Sequence, residues 1–467
     1  MATDHLSPRG TRPDPAPGRH PRSRPGATLA VTSAATAVAL MNYTAPALTL
    51  PSTAAAFGTP PSAQAWLLNG TPLGLAALLL VAGSLADDYG RRRVFLAGTL
   101  ALGVTTGVAA FADSTLTFTL ARIAQGAASA AILASSLGLL VHAFPAGTAR
   151  IRATGVWGAF VSAGIAIGPL LAGALGTIDW RLVYEVLALA ALAAGAVAFR
   201  TLTESRAPRG GRPDLPGALV LGLALTALLT ALTLGRDGWL RAPVGVLAAA
   251  SVALLAVFVL VERRSPTPMI DLGLFRRPLF LSTSSGALFT GLAVLGLFTY
   301  LPTMLQQATS ISPLGTAWLF LFWSGTSFVV ALQSKRLADR VSARHQLVLG
   351  FVLSAAGVLA MLGAVSATAG WVRLLPGLAV AGAGSGLLNA ALPRLSVESV
   401  PPERAAMGSG ANNTARYIGS SAGVALTIAV ATAGANAALT VSAGLSLLGA
   451  VAVLAFRPRR AVRAATR

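Results

Sequence analysis

GSLADDYGRRRVF, residues 83–95, places Asp87, Asp88, Arg91, Arg92 and Arg93 within seven residues. The chain around it is 54% hydrophobic and only 11% charged. Apolar runs flank the stretch, near 65–86 and 94–112. Each is close to the roughly 20 residues a helix needs to cross a hydrocarbon core about 30 Å thick. The stretch therefore reads as a short charged loop between two membrane spans, and its place in the fold follows from how many such spans there are and which side the loop lies on.

Outward from this loop the pattern repeats. Apolar runs lie near 27–50, 65–86, 94–112, 116–143, 152–176, 180–199 and 216–235, then near 243–261, 279–303, 313–333, 346–366, 370–392, 405–432 and 435–456. With a mean hydropathy of +0.71, the sequence predicts an all-α polytopic membrane protein of about fourteen spans. There is no Cys among the 467 residues, which excludes disulfides, thiolate metal sites and Cys nucleophiles. The net charge of +20 would point to nucleic acid in a soluble chain, but the arginines fall in short clusters between apolar runs, with no continuous basic face. Residues 1–26, rich in Pro, Arg and Gly, read as a disordered tail without a cleavable signal pattern.

The distribution of charge orients the chain. On alternate sides of fourteen spans, 29 of the 35 basic residues fall on the side of both tails and three (Arg181, Arg236, Arg241) on the other, the remaining Arg122, Arg373 and Arg416 lying within or at the edges of spans. Basic loops mark the cytoplasm, so both termini are expected there, in a bacterial inner membrane. LADDYGRRR (85–93) recurs as LADRVSARH (337–345), 252 residues later. The repeat predicts two six-helix bundles, 27–200 and 266–456, with two inserted spans in 201–265 and a basic tail at 457–467. Parallel halves with a site at their midplane interface are a plan of secondary transporters.

Within the loop, Gly83 allows close helix approach, Gly90 allows a tight turn, and Asp87 can accept from backbone N–H groups or pair with an arginine. The segment is then either a latch between helix bundles or a plain positive-inside loop. GSLADDYGRRRVF resembles the loop 2–3 signature of the major facilitator superfamily, with Gly83, Leu85, Ala86, Asp87, Gly90, Arg91 and Arg92 matching and Asp88 departing where a basic residue is usual. In the second copy Lys335 and Ser342 replace the two glycines. The resemblance implies the major facilitator fold and a cytoplasmic gate built on Gly83, Asp87, Gly90, Arg91, Arg92 and, in the second half, Asp339.

Further motifs extend it across nearly all of residues 30–456. LARIAQGAASAAI holds Arg122 inside a span, where a charge is costly and faces a cavity or a partner, or snorkels to the interface. It resembles the family's R-x-x-Q-G motif, which implies a proton-coupling role for Arg122 and Gln125. GIAIGPLLAG (164–173) strips side chains at Gly164, Gly168 and Gly173 and kinks the helix at Pro169. That string resembles the motif of the superfamily's antiporters, with Ala172 the one departure, and it favours export. The segment 179–186 resembles the W-R-W-x-F stretch that opens span 6, and 300–317 and 412–426 resemble spans 9–10 and 13 of the fourteen-span drug:proton antiporter branch. In span 1, MNYTAPALTLP (41–51) has Asn42 where that branch carries a membrane-embedded Asp. Glu185 is the remaining carboxylate inside a span; it either titrates in a low dielectric or pairs with Arg181 one turn earlier. Asn42, Tyr43, Trp66, Asn69, Phe289, Phe298, Tyr300 and Gln306 are candidates to line a weakly polar, aromatic cavity.

The function expected is proton-coupled export of hydrophobic or amphipathic small molecules by a monomer in the lipid bilayer. The energy source is the proton gradient, with no cofactor, metal or nucleic-acid partner. An importer of a small metabolite and a non-transporting scaffold or sensor are the alternatives; no feature points to an enzyme.

Overall fold

The computed structural model of the protein describes residues 25–206 and 214–456 apart from short breaks at 236–237, 239, 267, 269, 310, 339 and 367–369. Residues 1–24 and 457–467, which take in almost all of the expected tails, lie outside the described residues, as does Asp339. The described chain is helical throughout, with no strand among the described residues. In order, the helices are α1 (Pro25–Thr44), α2 (Pro46–Phe57), α3 (Pro61–Tyr89), α4 (Arg91–Ala110), α5 (Thr115–Ala143), α6 (Thr148–Leu175), α7 (Trp180–Thr201) and α8 (Leu215–Gly235). They continue as α9 (Ala242–Arg264), α10 (Pro278–Phe289), α11 (Gly296–Ala308), α12 (Pro313–Ala338), α13 (Ala343–Leu359), α14 (Leu374–Glu398), α15 (Ala405–Ala431) and α16 (Ala435–Ala455).

Ten of the described helical segments are long and apolar enough to cross a membrane. The helices α1 and α15 fall outside that set, and the reason is where they face. Thr32, Ser33, Thr36 and Asn42 of α1 are buried, as are Ser409, Asn412, Asn413, Thr414, Arg416 and Ser420 of α15. A helix turned toward protein on most sides can replace lipid-facing carbon with polar groups, which lowers its hydropathy without exposing them to lipid.

Two of the expected spans are interrupted. The run 27–50 breaks between α1 and α2 at Ala45, because Pro46 has no N–H to continue the ladder. The run 279–303 is α10 and α11 joined by a π-helical turn at Thr290–Leu295. That turn puts Gly291 and Gly296 against the backbone of α15, so close that a Cβ on Gly291 would overlap the Arg416 carbonyl. π-turns of this kind bulge a helix locally and recur at functional sites.

Packing gathers the helices around two hydrophobic clusters. In the first, α3 and α4 lie against α5, α4 against α7, and α1 against α5, α6 and α7, around Leu40, Leu75, Leu79, Phe95, Leu102, Ile132 and Leu133. In the second, α13 lies against α14 and α16, and α12 against α14, around Leu297, Leu301, Leu347, Phe351, Leu378 and Leu388. The two sets meet where α3 packs on α15 and where α6 packs on α12 and α14. The helices α8 and α9 pack on each other, and α8 on α3 and α15. Lipid tails are as apolar as Leu, so these contacts rest on close backbone approach. Gly410 against the Leu79 carbonyl and Gly158 against the Asn389 carbonyl leave no room for a Cβ.

Candidate functional site

The repeat places its two copies at equivalent turns. Gly90, with φ of 123°, breaks α3 from α4 in a conformation that L side chains rarely adopt. Arg92, at the N-terminus of α4, donates to the Phe199 carbonyl at the end of α7 (2.7 Å) and lies 5.1 Å from the Phe199 ring. In the second copy Arg344, 252 residues on, donates to the Val453 and Leu454 carbonyls at the end of α16. Each copy thus ties its turn to the end of a later helix, α7 in the first and α16 in the second. The position of Arg91 is occupied in the second copy by Ala343.

The first turn also reaches across to the N-terminus of α15. Asp87 is fully buried and Arg91 nearly so, and they form an ion pair of 2.8 Å. The Asp87 carboxylate also accepts from the backbone N–H groups of Met407 (2.9 Å) and Ala406 (3.4 Å) at the start of α15. A negative charge at a helix N-terminus meets unsatisfied donors and the positive end of the helix dipole. Arg91 donates to the carbonyls of Glu403 (2.9 Å), Pro402 (3.3 Å) and Gly138 (3.3 Å). Gly83 lies on the Ala406 carbonyl with no space for a side chain. Asp88, the departure from the signature, pairs with Arg404 of the other half at 3.4 Å. Glu204 accepts from the N–H groups of Arg92 and Arg93 and caps α4. Arg404, Glu204 and the 402–403 carbonyls carry no role in the sequence reading; no local pattern marks them, because they enter only through tertiary contact.

A second cluster lies deeper. Arg122 of α5 is fully buried, so it does not snorkel. One guanidinium nitrogen, Nη1, donates to the Asn42 carbonyl and to Gln125 Oε1, both at 2.7 Å; Nε and Nη2 have no partner among the described residues. Gln125 donates to the Thr105 carbonyl (3.3 Å), and the Asn42 side chain accepts from Thr106 Oγ1 (3.1 Å). The ionisable neighbours of Arg122 are Tyr43 and Tyr184. Glu185, one residue past Tyr184, is half-buried and has no hydrogen bond or ion pair among the described residues. Arg181 stacks on Trp180 at 4.5 Å instead of pairing with Glu185. The structure thus brings Asn42, Tyr43, Arg122 and Gln125 together and leaves Glu185 apart.

Tyr43 meets Tyr417 of α15 across the interface, ring centroids 5.6 Å apart. Next to Tyr417, Arg416 is buried and donates from Nη2 to Asn389 Oδ1 (3.1 Å), its Nε unpartnered. Asn389 in turn donates to Ser162 of α6 (2.9 Å), which meets Ser327 of α12 (2.9 Å). Arg416 has no assigned role in the sequence reading, although it lies inside a span as Arg122 does, and that alone was signal enough to single it out. Of the other cavity candidates, Phe298 stacks on Trp323 at 4.2 Å within the second hydrophobic cluster. Trp66, Phe289 and Tyr300 are half-buried and Gln306 is exposed; the Asn69 side chain lies outside the described residues.

Gly164 and Gly168 of α6 face α1. A Cβ on Gly164 would sit 2.8 Å from the Leu40 Cβ, and one on Gly168 would overlap Thr44 Oγ1 and sit 2.9 Å from the Met41 carbonyl. Gly173 meets Leu48 of α2 and Leu314 of α12 at 3.3 and 3.6 Å. Pro169 is buried in the same helix.

The sequence pattern of the Major Facilitator Superfamily matches residues 32–424. The chain belongs to that superfamily. Among curated relatives, the Multidrug resistance protein Stp of Mycobacterium tuberculosis is 33% identical over 382 residues, covering 80% of this chain and 70% of that protein. The Puromycin resistance protein pur8 of Streptomyces alboniger is 32% identical, covering 90% and 84%. The Tetracenomycin C resistance and export protein of Streptomyces glaucescens is 31% identical, covering 91% and 79%. Among solved structures, the human organic anion transporter MFSD10 superposes with a TM-score of 0.67 at 18% identity, covering 92% of this chain and 99% of that one. At that identity the likeness speaks to the major facilitator fold alone. Membership makes the protein a transporter of small molecules and not an enzyme.

Proposed function

We propose that this protein is a proton-coupled drug exporter, moving hydrophobic or amphipathic small molecules out of the cell by alternating access. Its relatives are named for multidrug resistance, antibiotic resistance and antibiotic export. The observation that carries the reading is the Asp87–Arg91 latch, which joins the two halves at one end of α3 and α15. With the basic side as the cytoplasmic side, this end is the inner gate and the arrangement is closed toward the cytoplasm. Opening it requires Asp87 to leave the N-terminus of α15, and Arg91 to leave the Pro402 and Glu403 carbonyls.

The chain crosses the bacterial inner membrane fourteen times, as two six-helix bundles (27–200 and 266–456) with the spans near 216–235 and 243–261 inserted between them. Both termini are cytoplasmic, the unit is a monomer, and the proton gradient serves in place of any cofactor. Arg122 and Gln125 take part in coupling, and Gly164, Gly168, Pro169 and Gly173 let α1 and α6 slide as a pair. One proton moving down 100 mV releases about 2.3 kcal/mol, enough to hold a neutral substrate at a gradient of roughly fortyfold.

The test is drug accumulation in cells expressing the protein, read with puromycin and a panel of aromatic antibiotics. Lower accumulation than in control cells, restored by a protonophore, is expected. Accumulation higher than in controls, abolished by the protonophore, would make the protein an importer and overturn the reading.

A further inference from the structure

Among the described residues, Arg122 and Arg416 are buried inside helices of the membrane interior, and neither forms an ion pair with a carboxylate. Arg122 has no solvent exposure and Arg416 has 7%; they stand in different halves, and both act electrostatically on Tyr43, whose ring meets Tyr417 across the interface. Every hydrogen bond of these guanidiniums goes to a neutral acceptor: the Asn42 carbonyl, Gln125 and Asn389. Among the described residues, three of their N–H-bearing nitrogens, Arg122 Nε and Nη2 and Arg416 Nε, have no acceptor, and the buried Asn412 Nδ2 nearby in sequence is unsatisfied too. Asp87, Asp88, Glu204 and Glu398 are in ion pairs with other arginines, Arg91, Arg404, Arg93 and Arg394.

A buried charge is tolerated when it is paired and its donors are filled. Here the protein supplies neutral acceptors on one side of each guanidinium and leaves the rest open. The residue best placed to neutralise Arg122, at position 42, is an asparagine whose amide is already occupied by Thr106 and by the Val38 carbonyl.

Building on the export reading above, we propose that Arg122 and Arg416 form the counter-charge for an organic monoanion, so that the preferred substrates are amphiphiles carrying one carboxylate or acidic phenolate group. The planar guanidinium presents paired donors that match a carboxylate in two-point geometry. The Tyr43–Tyr417 pair and the nearby apolar helices take the hydrophobic part. The same two positive charges repel cations, which gives selectivity by exclusion as well as by attraction.

The experiment is equilibrium binding to the purified full-length protein in detergent, using three probes of one shape. These are 1-naphthaleneacetate, its neutral amide, and 1-naphthylmethylammonium. The carboxylate is expected to bind at least tenfold tighter than the amide, and the ammonium weakest. Arg416→Gln is expected to weaken carboxylate binding at least tenfold and so remove its preference over the amide, and Arg416→Lys to keep part of that preference. Asn42→Asp, which supplies an internal counter-charge and serves if the arginine variants fail to fold, is expected to reverse the order in favour of the ammonium. A carboxylate that binds no tighter than the amide, including no binding by any probe, would overturn the proposal. So would a preference that survives both Arg416→Gln and Asn42→Asp, or one abolished by 150 mM chloride, which would make the occupant an inorganic ion. Export is scored separately by accumulation of a neutral antibiotic in cells, so loss of charge preference and loss of export are distinct results.

Discussion

Arg91 and Arg122 are both buried arginines in the same bundle, and their surroundings are opposite. Arg91 has a carboxylate at 2.8 Å and three backbone carbonyls as acceptors. Arg122 has two neutral acceptors, both on Nη1, and two unpartnered nitrogens. The first is completed by the protein, from both halves, and so holds the halves together. The second is left incomplete. A closed contact stabilises one conformation, whereas an incomplete one keeps free energy available for something that arrives from outside. The comparison predicts that mutations at the two sites separate stability from transport.

The largest effect is expected at the latch. Asp87→Asn leaves the Arg91 guanidinium buried without its counter-charge, and breaking such a pair costs about 3–5 kcal/mol. It also weakens the cap on α15. A clear drop in melting temperature in detergent, together with loss of drug efflux in cells, is expected; unchanged melting would mean the pair does not hold the halves. Arg122→Gln sharpens the contrast. It removes a charge whose donors are only partly filled, so melting is expected to hold or rise while efflux falls at least tenfold. If both variants lowered stability alike, the distinction between the two arginines would be lost.

A smaller effect is expected from Gly168→Val, which forces bulk against Thr44 and Met41 of α1. Overpacking of this kind costs roughly 1–3 kcal/mol, seen as lower melting and slower efflux, and Thr44→Ala is expected to recover part of it. Smallest is Glu204→Gln at the start of α4. A charge at a helix N-terminus is worth about 0.3–1 kcal/mol, and Glu204 is partly exposed, so melting is expected to move little and efflux to persist. A large loss of efflux there would assign the Glu204 cap to the gate.

Much of this contrast was legible in the sequence, and the limits of that legibility have physical causes. The Asp87–Arg91 turn is written locally: a helix end, a glycine, and charges four residues apart that face each other across one turn. The repeat also showed that the second half has an equivalent turn, and Arg92 and Arg344 do occupy equivalent places. What the latch grips could not be read, since Met407, Pro402 and Glu403 lie more than 300 residues away and contribute backbone groups, which any residue type could supply. Arg122 stood out because charge inside a span is rare, yet its end-of-span position left snorkelling open until Asn42, Gln125 and Tyr43 were seen to enclose it. The runs 27–50 and 405–432 were read as spans even though α1 and α15, at the interface between halves, carry polar residues toward protein and not toward lipid. The break at Ala45–Pro46 follows from the proline itself, while the π-turn at Thr290–Leu295 has no comparable sequence mark.

The most direct test of the account is proton flux in sealed liposomes holding the purified protein under an imposed pH gradient, with a neutral aromatic antibiotic added. The account predicts drug-dependent collapse of the gradient that disappears in Arg122→Gln while that variant stays folded. Drug movement that proceeds at the same rate with no pH gradient, and is unaffected by Arg122→Gln, would contradict it.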